Sequence, residues 1–135
     1  MSIVKDMSLA PSGRRKIGWV RDFMPALGGI EARFEKEKPF AGLRVAVSVH
    51  LEAKTANLGY VLSKGGAEVH LTGSNPLSTQ DDVAAGLADL GVEPFGVHGV
   101  RAEEYERRLI ETINFNPQLT LADRCAPVAH PVGDR

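Results

Sequence analysis

The stretch LRVAVSVHLEAKT, residues 43–55, decides the fold. Its first part, Leu43–Val49, is a short and mostly apolar run rich in β-branched side chains, which is typical of a strand buried on both faces of a sheet. The chain then turns polar, and one helical turn carries His50, Glu52, Lys54 and Thr55. A buried strand that runs into a polar turn and a helix predicts the first βα unit of a parallel sheet.

The sequence that follows repeats this alternation. Gly65 and Gly66 end the first helix, and each later helix is again followed by a short apolar run. The pattern predicts helices at 52–63, 81–90 and 103–113, and strands at 67–72, 92–97 and 119–122. Alternating strands and helices indicate an α/β fold, an open parallel Rossmann-like sheet with right-handed crossovers and helices on both faces.

A helical segment precedes the sheet. Apolar residues recur every three or four positions from Gly13 to Glu37, which predicts an amphipathic helix. Pro25 and the pair Gly28-Gly29 should bend or interrupt it, giving two helical pieces. After Asp123 the periodicity is lost, and residues 124–135 are expected to be an irregular tail.

Composition limits the possible classes of protein. The 135 residues are 43% hydrophobic and 24% charged with a net charge of −1, so neither nucleic acid nor an acidic membrane is an expected partner. The single cysteine, Cys125, excludes an internal disulfide and a thiol cluster for zinc, and it favours the cytoplasm. We expect neither a signal peptide nor a membrane span.

Polar residues follow three of the strands, at the sheet edge where ligands bind in open α/β folds. At the first strand end, His50, Glu52, Lys54 and Thr55 either face a ligand or simply begin a helix, and the spacing leaves both interpretations open. At the second, Ser78 is expected as a helix N-cap with Asp81 as its partner, while Asn75 and Gln80 could bind a polar ligand. The third end carries Asp123.

Several other motifs are absent or uninformative. The chain has neither GxGxxG nor GxxxxGK[ST], so a dinucleotide site is not visible. His70 and His98 lack metal-ligand spacing and are interpreted as structural. No role is assigned to Cys125. A flavodoxin-like receiver is disfavoured, because no strand end before Asp123 carries the paired acidic residues that hold magnesium.

Together, several segments resemble the N-terminal part of adenosylhomocysteinase: VKDMSLA at 4–10, Gly13-Arg14, Met24-Pro25, His50, GAEV at 66–69 and SNPLSTQDDVAA at 74–85. The resemblance runs from about Ile3 to Asp123. It implies reversible hydrolysis of S-adenosylhomocysteine to adenosine and homocysteine with tightly held NAD, by a homo-oligomeric enzyme of one-carbon metabolism.

The resemblance also implies roles for individual residues. His50 would be the acid/base near the 5′ leaving group, and Asp123 a carboxylate near the ribose. Glu52, Lys54 and Thr55 would lie toward the purine. The substrate-binding set is completed by Asn75, Ser78 and Gln80.

Two departures from the family pattern carry expectations of their own. Many members have Thr and Glu where this chain has Glu52 and Lys54. A lysine ammonium that donates to O6 and a glutamate that accepts from N1–H suit hypoxanthine better than adenine. The family signature also breaks at Asp123. We therefore expect a partial substrate domain at 1–123, a divergent tail at 124–135, and no NAD-binding domain or bound cofactor. Such a chain would be inactive alone, the alternative being a non-catalytic nucleoside-binding or interaction module.

Overall fold

The computed structural model describes residues 2–123. The tail expected at 124–135, with Cys125, lies outside the described residues. A 3₁₀ turn at Met7–Leu9 precedes five helices and four strands: α1 (Ala10–Asp22), α2 (Pro25–Glu37), β1 (Arg44–Ser48), α3 (Ala53–Lys64), β2 (Glu68–Thr72), α4 (Asp81–Asp89), β3 (Glu93–Pro94), α5 (Ala102–Ile113) and β4 (Leu119–Ala122).

The four strands form one parallel sheet in the order β3-β2-β1-β4. The apolar strand β1 lies inside the sheet, where Val47 pairs with Leu71 of β2 and Leu121 of β4. The chain runs from β1 outward through β2 to β3 and then returns to the other side of β1. Right-handed crossovers put α5 on the opposite face from α3 and α4. The α/β prediction is confirmed.

Helix packing agrees with this topology. α3 and α4 contact each other and α1, whereas α5 packs on β1 and β2. The core between these layers is built mainly from aliphatic side chains, among them Ile17, Val47, Leu71, Val83 and Leu87. No helix among residues 2–123 is both long and apolar enough to cross a lipid bilayer.

The N-terminal helical segment divides at a different place from the one expected. The break falls at Phe23 and Met24, and Pro25 begins α2 instead of interrupting it. Proline is well placed in the first turn of a helix, because its missing N–H would have no intrahelical partner there. The pair Gly28-Gly29 lies inside α2 without breaking it.

Strand β3 is much shorter than the predicted strand at 92–97. Regular pairing with β2 covers only Glu93 and Pro94, although the Phe95 N–H still donates to the Leu71 carbonyl at 2.8 Å. The Phe95 carbonyl then accepts from the Thr72 hydroxyl at 2.7 Å instead of from a backbone N–H. Pro94 is tolerated because its missing N–H is on the outer side of the strand. The N-terminus then takes up the outer edge of β3. Ile3 donates to the Pro94 carbonyl at 2.8 Å and accepts from the Gly96 N–H at 3.0 Å.

Candidate functional site

Three polar side chains meet at the carboxyl edge of the sheet. His50 follows β1, Ser74 follows β2 and Asp123 follows β4. The His50 Nδ1 atom lies 3.4 Å from Asp123 Oδ2 and 3.2 Å from Ser74 Oγ. Residues distant in sequence are brought together because Ser48 pairs with both Thr72 and Ala122 in the parallel register.

This cluster occupies the topological switch point of the sheet. The chain leaves β1 toward β2 and later returns to β4 on the other side, and ligands bind at such a reversal in open α/β sheets. The His50 side chain is 58% exposed and that of Asp123 is 37% exposed, so both can reach a bound molecule. Ser74 is buried and fixes one side of the imidazole.

The geometry suits proton transfer. A neutral imidazole carries its proton on one nitrogen, and a carboxylate beside Nδ1 favours the tautomer with the proton there. The Nε2 atom is then the acceptor, available to a substrate. Asp123 would also stabilise the imidazolium that forms when Nε2 takes up a proton.

The three candidates at the start of α3 differ in exposure and in hydrogen bonding. Glu52 is the N-cap of α3, and its Oε1 accepts a hydrogen bond from the Thr55 N–H at 3.4 Å. Thr55 is buried, whereas Lys54 is exposed. Helix initiation, one of the two interpretations left open by the sequence, therefore accounts for part of the role of Glu52. It does not account for Lys54.

The loop after β2 uses most of its polar side chains internally. Asn75 Oδ1 accepts from the Leu77 N–H at 2.9 Å. Ser78 Oγ accepts from the Asn75 N–H at 3.0 Å and donates to the Asn75 carbonyl at 2.9 Å. The prediction that Ser78 caps α4 is wrong, because α4 begins at Asp81 with Gln80 as N-cap.

Gln80 differs from its neighbours in this loop. Its side chain is exposed and makes no capping hydrogen bond. The Gln80 N–H donates to the Leu51 carbonyl at 2.9 Å, and the Leu51 N–H donates to the Ser78 carbonyl at 2.8 Å. These bonds hold the loop against the turn that follows β1, so Gln80 borders the turn that carries His50 and Glu52.

A groove runs beside this turn, between α1 and the start of α3. Its volume is about 410 Å³, and we call it the α1–α3 groove; it is lined by Arg15, Lys16, Trp19, Val20, Glu52, Ala53 and Lys54. Of the eight expected site residues it contains Glu52 and Lys54.

The sequence interpretation missed two residues. Ser74 carried a signal, since it lies as far beyond β2 as His50 lies beyond β1. Trp19 carried none, because α1 and α3 are brought side by side only by tertiary packing.

Two other histidines, one in the sheet and one beyond it, make contacts within the fold. His98 Nδ1 lies 3.0 Å from the Thr79 carbonyl oxygen, and the His98 N–H donates to Asp81 at 2.9 Å. The His70 ring stacks on Phe115 with centroids 3.5 Å apart. Burial lowers the pKa of His70, although Glu68 and other carboxylates act to raise it. Among residues 2–123 no cluster of three or more His, Cys, Asp or Glu side chains could hold a metal ion.

Comparison with known proteins identifies the relatives of this chain. A family model described as S-adenosyl-L-homocysteine hydrolase matches residues 1–125. The S-inosyl-L-homocysteine hydrolase of Methanococcus maripaludis is 48% identical over 123 residues, which are 91% of this chain and 30% of that protein. The adenosylhomocysteinase of Pyrococcus abyssi is 48% identical over 120 residues, covering 89% and 28%. The adenosylhomocysteinase of Thermosynechococcus vestitus is 46% identical over 133 residues, covering 98% and 31%. The chain thus spans about 30% of the length of these curated relatives.

Proposed function

We propose that this chain, which belongs to the S-adenosyl-L-homocysteine hydrolase family, carries the nucleoside-binding and proton-transferring side of a site for nucleosyl-homocysteine thioethers. The reaction would be the reversible, NAD-dependent hydrolysis of the thioether to a nucleoside and homocysteine in the cytoplasm. The observation that supports this most directly is the meeting of His50, Ser74 and Asp123 at the switch point of the sheet.

The proposed role of His50 follows from the chemistry of the leaving group. The homocysteine sulfur takes up a proton as it departs from the 5′ carbon, and the water that replaces it gives one up. A single imidazole can do both, because its ring nitrogen can donate a proton in one step and accept one in the next. Asp123, 3.4 Å from Nδ1, would orient the ring and contact the ribose.

The described residues do not fit the NAD that the family resemblance implies. A dinucleotide pyrophosphate needs a glycine-rich turn that lets backbone N–H groups approach it. The turn after β1 has no glycine. Gly73, after β2, faces its own loop, where a Cβ would lie 2.7 Å from Ser78 Oγ. The contribution of residues 2–123 is therefore limited to binding the nucleoside, orienting it and moving protons.

We assign the nucleobase to the side of the site that carries Glu52 and Lys54, with Thr55 and Gln80 at its border. A lysine ammonium donates to O6 of hypoxanthine, and a glutamate accepts from its N1–H, whereas adenine presents the opposite polarity at both atoms. This favours S-inosylhomocysteine as substrate. Relatives with both names are equally similar to this chain, so the polarity of the two side chains is the basis of this assignment.

Calorimetric titration of the purified chain with inosine and with adenosine tests the assignment. We expect inosine to bind at least as tightly as adenosine. The double variant Glu52→Thr, Lys54→Glu should reverse the preference, because it exchanges the donor for an acceptor. Lys36→Glu, which makes the same lysine-to-glutamate exchange at the end of α2, should leave the preference unaltered. A clear preference of the unmodified chain for adenosine would contradict the assignment.

A second candidate is a non-catalytic nucleoside-binding module. It is favoured by the poor fit of residues 2–123 to a dinucleotide. Incubation of the chain with S-inosylhomocysteine and NAD, followed by chromatography of the products, separates the two candidates. Formation of homocysteine that is lost in His50→Gln would support catalysis by the chain itself, and binding without any homocysteine would support the module.

A further inference from the structure

A solvent-facing pair of aromatic rings lies next to the proposed purine side. Trp19 in the last turn of α1 and Phe23 directly after that helix are 63% and 68% exposed. Their ring centroids are 4.6 Å apart. Both rings thus leave a large apolar area in water, and such an area beside a polar cleft commonly marks a binding surface.

Trp19 is also one wall of the α1–α3 groove. Val20 and Ala53 add apolar surface to this groove, and Glu52 and Lys54 add an acceptor and a donor at the start of α3. The groove opens beside the carboxyl end of β1, which is the ligand-binding edge of the sheet. An aromatic wall with a donor and an acceptor at its border is the combination that proteins use to hold a flat heteroaromatic base.

We propose that Trp19 stacks on the nucleobase whose hydrogen-bonding edge is read by Glu52 and Lys54. This inference rests on the proposed nucleoside site and adds to it a residue that binds the face of the base. Lys16, also in the groove, is held by Asp82 at 2.7 Å, so it is already paired on the α4 side. The indole is thus the large, flat surface in the groove against which a base can lie.

The chain has one tryptophan, so its indole fluorescence reports on Trp19 alone. Inosine and adenosine are titrated into the unmodified chain with excitation where purines do not absorb, and calorimetry measures binding independently. We expect quenching that saturates with the calorimetric Kd, because stacking brings the base into contact with the indole. Ribose, which lacks the base, should cause no quenching.

Variants separate stacking from mere proximity. Trp19→Ala should weaken nucleoside binding on the order of tenfold, the usual loss when a base loses its aromatic partner. Trp19→Phe should retain most of the affinity, and Ile110→Ala, which removes an exposed apolar side chain on α5, should have no effect. Trp19 is largely exposed, so these changes should leave the circular dichroism spectrum intact.

The outcomes distinguish this inference from the proposed function. Nucleoside binding without quenching, and with full affinity in Trp19→Ala, would overturn the stacking role and leave the nucleoside site standing. The absence of any binding to the unmodified chain, by calorimetry and by NMR, would overturn both. Saturable quenching with weakened binding in Trp19→Ala supports both.

Discussion

Replacement of Gly13 by alanine should destabilise the chain by driving α1 away from α4. The two helices cross with their backbones in contact. A Cβ on Gly13 would overlap the carbonyl oxygen of Asp82, and a Cβ on Gly86 would lie 2.6 Å from the Arg14 nitrogen. Since the neighbouring atoms on both sides belong to helix backbone, no side-chain rotation can make room for the extra methyl group.

The size of the effect follows from three contributions. Alanine in place of glycine stabilises a helix by about 1 kcal/mol. Overpacking against rigid neighbours costs about 3 kcal/mol, the upper part of the usual range. Separation of the helices also strains the hydrogen bonds of Ser12 and Lys16 to the Asp82 carboxylate, which together stabilise by roughly 1–2 kcal/mol. The net loss in the free energy of unfolding is about 3 kcal/mol, or roughly 10 °C in Tm.

Urea and thermal denaturation, followed by circular dichroism, measure this loss. Gly18→Ala is the matched control, because Gly18 lies in the same helix and a Cβ there would have no neighbour within 4 Å. We expect Gly18→Ala to stabilise by up to about 1 kcal/mol. The reasoning fails if both variants shift stability in the same direction, or if Gly13→Ala is as stable as the unmodified chain.

Three further outcomes are expected. Burial lowers the pKa of His70 from its ordinary 6.5, so the contribution of His70 to stability is complete above that pH and declines as the pH falls below it. His70→Gln should therefore make the free energy of unfolding less dependent on pH between about pH 7 and pH 5, as measured by urea titration at each pH. An unchanged pH dependence would contradict this. Burial acts to raise the pKa of Asp82, but hydrogen bonds from Lys16 and Ser12 outweigh it and hold the pKa below 3.8. Asp82→Asn should therefore lower the free energy of unfolding by about 1–2 kcal/mol at neutral pH. It should also make the stability of the chain less sensitive to acid below about pH 4. Equal stability of the two proteins at pH 7 would refute this prediction. Leu121 is 43% exposed on the edge strand β4, so it should promote self-association of the chain. If edge pairing is the cause, Leu121→Lys should reduce the self-association measured by analytical ultracentrifugation.

Much of the fold could be predicted from the sequence because local pattern and buried environment agree. The run 43–49 is apolar on both faces, and its strand forms at Arg44–Ser48. The strand at 119–122 was predicted with the bounds that the structure shows. The strand predicted at 92–97 is too long, because after Phe95 the backbone pairing with β2 gives way to a hydrogen bond from the Thr72 hydroxyl, which an apolar run does not reveal.

The candidate site was less accessible to such reasoning. Strand ends identified His50 and Asp123, because in a parallel sheet all carboxyl ends lie at one edge. Which polar side chains stay available for a ligand depends on hydrogen bonds within each loop. Those bonds engage Asn75 and Ser78 in their own turn and leave Gln80 exposed. The contact of Gly13 with α4 has no signature in the spacing either, because it depends on where two helices cross.

The topology links the chemistry of the site to the weakest part of the sheet. Asp123 reaches His50 only because β4 pairs with β1, and its N–H continues that pairing with a 3.4 Å bond to the Ser48 carbonyl. Yet all four residues of β4 are exposed, and within residues 2–123 this strand has β1 as its sole partner. Ser74, by contrast, follows a strand that is paired on both sides. The serine contact thus holds the imidazole whether or not β4 is docked, while the carboxylate contact requires the edge strand to stay in register. The proposed proton transfer by His50 is therefore expected to depend on whatever stabilises β4.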